Sequence, residues 1–230
     1  MKHKNPFRAL SKAELALWSL SAAAVIGSFL FSSSSDYLTL AASLIGVTAL
    51  IFVAKGYVIG QVLTIVFSLF YGVISFCFQY YGEMITYLGM TSPIAILTAI
   101  SWYRHPYQKT AEVAVGWVTR RQAAAIFGLA VIVTGAFYFI LEALGTANLF
   151  FSTVSVATSF LASALTLKRS PYYAAGYAAN DIILVVLWIL ASAEDASYFP
   201  MVVCFLAFFI NDLYGFWNWQ RIKKRQMEQG

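Results

Sequence analysis

Two adjacent amide–acid pairs, Asn180–Asp181 and Asn211–Asp212, stand inside otherwise apolar runs of this sequence. A carboxylate near the centre of a bilayer costs at least about 2.5–3.5 kcal/mol on insertion scales, so each acid needs a physical reason. A neighbouring cation, a proton taken up on desolvation, or hydrogen bonds from adjacent helices would each supply one. No Lys, Arg or His lies deep in an apolar run. Two readings therefore stand open: a cationic ligand, or donors such as Asn, Tyr and Trp acting as glue between helices. The amides of Asn180 and Asn211 can pair with hydroxyls or a carboxamide without the cost of burying a charge. At helical spacing Tyr177, Asn180, Asp181 and Trp188 share a face, and Asn211 and Tyr214 share another with Asp212 adjacent. Both Asp181 and Asp212 are followed seven residues later by a tryptophan, Trp188 and Trp219.

A second constellation is a polar stripe. Gln61, Thr64, Ser68, Tyr71, Ser75 and Gln79 recur every three or four residues, which keeps them on one side of a helix. Such a stripe faces protein or water, as interhelical hydrogen bonds or as the lining of a pathway. Gln61, Thr64 and Ser68 are the candidates for ligand contact from this stripe. The next apolar run adds Tyr87, Thr91 and Thr98, with Pro93 able to kink it near mid-depth. Glu83, at the edge of that run, is expected in a solvated surface role.

The elements that position these groups follow from composition. Of 230 residues, 60% are hydrophobic and only 11% charged, where a soluble domain carries about 25% charged residues. The chain is an integral membrane protein. Eight apolar segments are expected, roughly 15–31, 37–54, 58–78, 84–102, 123–144, 149–167, 172–190 and 198–219. Each is long enough to span about 30 Å of hydrocarbon, and in lipid such segments must be helices. All 15 Lys and Arg residues fall on one side of an eight-span arrangement, whereas Asp36, Glu83, Glu142, Glu194 and Asp195 fall on the other. This sorting predicts both termini in the cytoplasm. The first run lacks a cleavage site and reads as a retained helix.

The net charge of +5 is accounted for by orientation and by anionic lipid heads, and no nucleic-acid partner is needed. The histidines, His3 and His105, lie at segment edges, and Cys77 and Cys204 lack ligand-like spacing. No enzyme, metal site or cofactor is expected.

"KGYVIG" at 55–60 and "SPYYAAG" at 170–176 open the third and seventh segments alike, and the fourth and eighth end in Trp102 and Trp219 before basic residues. Spans two to four and six to eight then form two triple-helix bundles pointing the same way, a parallel repeat. The expected organisation is an N-terminal part with an extra helix (1–36), a first bundle (37–104), a linker with one helix (105–146), a second bundle (147–220) and a basic tail (221–230). Both Asn-Asp pairs lie in one bundle, so they would form half of one site, with the third and fourth spans supplying the rest.

"YYGEMITYLGM" (80–90), "YAANDIILVVLWIL" (177–190) and "FINDLYGFWNWQRIKKRQ" (209–226) resemble the PnuC family of bacterial nicotinamide riboside transporters. The resemblance covers 37–226. It implies a fold like that of the SWEET sugar transporters, a homotrimer in the bacterial inner membrane, and uptake of this unphosphorylated NAD precursor. The mode implied is facilitated diffusion, with phosphorylation inside the cell trapping the vitamin. The family pattern points most directly to Asn180, Trp188 and Asn211. Thiamine or another B vitamin is the alternative cargo, and a neutral sugar a more distant one.

Overall fold

The computed structural model describes residues 6–32, 37–77, 81–146 and 148–229. Among these residues eight helical segments are long and apolar enough to cross a membrane. They are α1 (Lys12–Phe31), α2 (Tyr37–Ala54), α3 (Val58–Cys77), a composite span of α4 (Tyr81–Ile85) and α5 (Ser92–Arg104), α6 (Arg120–Ala143), α7 (Leu149–Leu167), α8 (Tyr173–Glu194) and α9 (Phe199–Gln229). The expected Gln79 and Asp36 lie outside the described residues.

Helix starts follow local chemistry. Ser11 and Thr119 each close a capping box, with Glu14 and Gln122 at the third helical position, which satisfies two orphan donors at each start. Between α8 and α9 Asp195 accepts the Ser197 N–H at 2.9 Å, which holds its carboxyl below the usual carboxylate range. In the fourth span a wide π turn, Thr86–Thr91, separates α4 from α5, and the Ser92 N–H reaches back to the Tyr87 carbonyl. Pro93 follows at once. It has no N–H to donate, so the regular ladder cannot run through this turn. The expected kink is thus a change of helical winding at mid-span, and it re-aims Tyr87 and Thr91.

α2 packs on α3 and α7 on α8, with α9 against α8 and α2, and α5 against α3 and α7. Close approach depends on small residues. A Cβ on Gly60 would stand 2.4 Å from the Val53 backbone nitrogen, and one on Gly176 would stand 3.0 Å from the Ala162 Cα. At the basic end Trp102 donates its indole N–H to the Thr166 carbonyl at 3.0 Å, and Trp219 donates to the Val53 carbonyl at 2.9 Å. The two rings are 5.4 Å apart. These tryptophans lock the ends of four spans together.

The basic loops converge on this same end. Glu112 pairs with Arg225 and accepts the Gln226 amide at 2.8 Å. The Val113 N–H reaches the Gly56 carbonyl, and the Gly116 N–H reaches the Arg169 carbonyl. The basic tail is therefore the continuation of α9, docked on the loop before α6. α1 packs on α2 and α9. Its Glu14 accepts Lys55 at 2.9 Å and the Tyr214 hydroxyl at 2.9 Å. α6 buries only Ala130 and Leu141, which leaves a broad apolar face outward.

The glycine geometry predicts a contrast. Gly60→Ala should lower the melting temperature of detergent-purified protein, with a cost of about 1–3 kcal/mol for forced overpacking. Gly27→Ala, where an added Cβ meets nothing within 4 Å, should leave the melt unchanged in a thermal-shift assay.

Candidate functional site

A cavity lies between α2, α3, the π turn, α7, α8 and α9. Gln61 and Thr64 reach it from α3, Tyr87 and Thr91 from the π turn, Tyr177, Asn180 and Asp181 from α8, and Asp212 from α9. The third, fourth, seventh and eighth spans thus meet at one space, to which α2 adds Gly46, Ala49, Leu50 and Val53. Asn180 is about eight residues from the start of α8, roughly 12 Å deep.

The two acids meet. The Asp181 and Asp212 carboxyl groups, both buried, lie within hydrogen-bonding reach of one another. Two like charges in contact repel strongly unless a proton or a cation offsets them. No Lys, Arg or His is among the described residues that line the cavity. The Asn180 side-chain oxygen accepts the Thr158 hydroxyl at 2.8 Å, which fixes the amide at the cavity wall. The second Asp181 oxygen and the Thr91 hydroxyl have no hydrogen-bond partner among the described residues. Gln61, 3% exposed, completes a ring of polar groups around one space. Buried polar groups are nearly always paired in native structures, so unpaired ones converging on a cavity mark what a ligand would satisfy. Tyr177 is fixed by Ser163 at 3.0 Å, and the Thr64 hydroxyl is spent on the Gly60 carbonyl at 3.0 Å.

Four candidate contacts lie elsewhere. Ser68 bonds Ser92 at 2.6 Å, tying α3 to α5. Trp188 donates to the Tyr71 hydroxyl at 3.2 Å. Asn211 donates to Ser21 of α1 at 2.8 Å, and Tyr214 donates to Glu14. The reason is helical phase. Asn211 is 100° around α9 from Asp212, so one faces the cavity and the other faces α1. The Ser68 and Trp188 groups lie in tight packing between helices. Both Glu83 and Trp188 border a second, smaller cavity. Glu83 is 7% exposed, a departure from the solvated role expected of it, because the π turn draws this end of the span against α7.

Sequence reasoning missed the apolar walls. Phe67, Phe205 and Phe208 line the cavity, with Phe67 and Phe208 5.4 Å apart edge to face. Gly46 lets Phe208 in, since a Cβ there would stand 2.3 Å from the ring. Phenylalanines in an apolar run carry no signal that separates wall from lipid face.

A family model described as "Nicotinamide mononucleotide transporter" matches residues 36–221. The "Nicotinamide riboside transporter PnuC" of Neisseria mucosa is 26% identical over 206 residues, spanning 87% of this chain and 78% of that protein. The "Crystal structure of the Vitamin B3 transporter PnuC" aligns with a TM-score of 0.81 at 23% identity, over 94% of both chains. That likeness speaks for the fold.

The placement of Asn211 predicts a purely structural role. Asn211→Ala should lower the melting temperature, at about 1–3 kcal/mol for the lost buried bond, and expose α1 to limited proteolysis. An unchanged melt and digestion pattern would contradict the role given to the Ser21 contact.

Proposed function

The chain belongs to the nicotinamide mononucleotide transporter family, and from that premise we propose that it carries nicotinamide riboside, the unphosphorylated nucleoside, and not the mononucleotide. The observation that supports this is the charge of the cavity: two contacting acids and no base among the described residues that line it. Nicotinamide riboside presents a pyridinium cation, a carboxamide and a ribose. The cation offsets the acid pair. Tyr87 and Phe67 offer ring faces, with cation–π attraction of about 0.5–2 kcal/mol. Gln61 and the Asn180 NH2 match the carboxamide and the ribose hydroxyls. The mononucleotide adds a phosphate of about −1.5 to −2 charge at neutral pH, which the acids repel.

The same asymmetry supports facilitated diffusion with trapping. A cation is drawn to an inside-negative compartment by about 2.3 kcal/mol per 100 mV, so no coupled ion is required. Once phosphorylated inside the cell, the product no longer fits the acidic cavity. We place the basic end of the bundle in the cytoplasm by the positive-inside rule, with both termini there and the chain in the bacterial inner membrane.

The parallel repeat of two triple-helix bundles belongs to this proposal. It draws support from the reciprocal bonds of Trp102 to the α7 end and Trp219 to the α2 end, and from the matching close approaches at Gly60 and Gly176. A homotrimer is proposed as well, supported by the outward apolar face of α6.

Isothermal titration of the purified protein tests the cargo. Nicotinamide riboside should bind, with the mononucleotide, thiamine and riboflavin each weaker by tenfold or more. Asn180→Ala and Asp212→Asn should each weaken binding by about tenfold, in line with about 1.5–3 kcal/mol for a hydrogen bond to a charged group. Tighter binding of the mononucleotide or of thiamine would overturn the assignment. Uptake into empty liposomes that strictly requires a proton or sodium gradient would sink the facilitated mode.

A further inference from the structure

The second cavity lies outward of the first, toward the acidic end of the bundle. As the helices stand it has room for little more than a water molecule, and it is bordered by Glu83, Thr146, Asn148, Ser152, Leu184 and Trp188. A layer of three rings divides the two cavities. Tyr87 lines the inner one, its ring 4.3 Å from that of Tyr71, and Tyr71 accepts the Trp188 indole N–H, whose ring borders the outer one. Glu83 is one helical turn outward of Tyr87 on the same span. One of its oxygens accepts the Ser155 hydroxyl at 3.4 Å, and the other has no partner among the described residues. No Lys, Arg or His is among the described residues that border this cavity.

A carboxylate so enclosed, without a protein cation, stands where a passing cation would be held. We propose that the Glu83 cavity widens into an outer station that takes the positively charged ring of the substrate before the three-ring layer parts and admits it to the central cavity. The inference rests on the nicotinamide riboside reading. The carboxylate offsets the ring's charge, the Trp188 ring at the border of the cavity offers it a π face, and the Asn148 amide stands at the same border for polar substituents. Parting of the Tyr71–Trp188 bond would then join the two spaces. Because the station lies on the route and not at the central site, its loss changes rates and leaves equilibrium affinity alone.

The test uses Glu83→Gln, which keeps the shape and the bond to Ser155 but removes the charge. Two probes are followed into proteoliposomes: nicotinamide riboside, and its dihydro form, which lacks the ring charge. Influx of nicotinamide riboside should slow by about tenfold at low concentration, and efflux should slow in step. Influx of the neutral dihydro form should be unchanged, and titration should give wild-type affinity for nicotinamide riboside within about twofold. Glu83→Asp should recover part of the rate. Equal influx in wild type and Glu83→Gln overturns the station while the transport reading stands. Equal slowing of both probes also overturns it, by assigning Glu83 to the fold. A wild-type protein that carries neither probe sinks the transport reading and the station together.

Discussion

An acid inside a membrane must be answered by something, and the contact between Asp181 and Asp212 is where this fold leaves that demand open. The α8–α9 packing brings the two carboxyl groups together, and no described basic side chain lines the cavity they face. Everything else around the cavity is consistent with holding that charge in place. Thr158 orients Asn180, Ser163 fixes Tyr177, and the rings of Phe67, Phe205 and Phe208 supply the apolar wall. At a buried site the electrostatic demand is stronger than at a surface.

The cavity depends on two local departures from regular helix packing. The π turn at Thr86–Thr91 rotates the outer part of the fourth span relative to α5. Tyr87 and Thr91 thereby face inward while Glu83 is buried one turn further out. Gly46 supplies the other departure, by making room for the Phe208 ring. The reciprocal tryptophan bonds at the basic end close the bundle below the cavity, and the Tyr71, Tyr87 and Trp188 rings close it above. Aromatic rings thus stand on both sides of the central cavity.

α1 has a more specific part than an extra apolar helix suggests. Its Glu14 is reached by Lys55 and Tyr214, and its Ser21 by Asn211. These bonds tie the α2–α3 turn and α9 to one helix. The polar residues that satisfy α1 came from the same motif that contributes Asp212 to the cavity. One stretch of α9 thus lines the cavity on one face and holds α1 on another.

Much of this protein was legible in its residues alone. Eight spans, the one-sided sorting of basic residues and the convergence of the third, fourth, seventh and eighth spans on one region follow from hydropathy, charge and helical period, which are local properties. Gln61, Thr91, Asn180, Asp181 and Asp212 were legible as buried polar groups because apolar runs make them conspicuous. What the tertiary structure decided was direction. Asn211, Tyr214, Ser68 and Trp188 are as polar and as deep in sequence as the cavity residues, yet each is consumed by a partner distant along the chain. Glu83 at a segment edge is enclosed because α7 lies over it. A helical period states which residues share a face. Only packing states what that face meets, because the partner belongs to a different part of the chain.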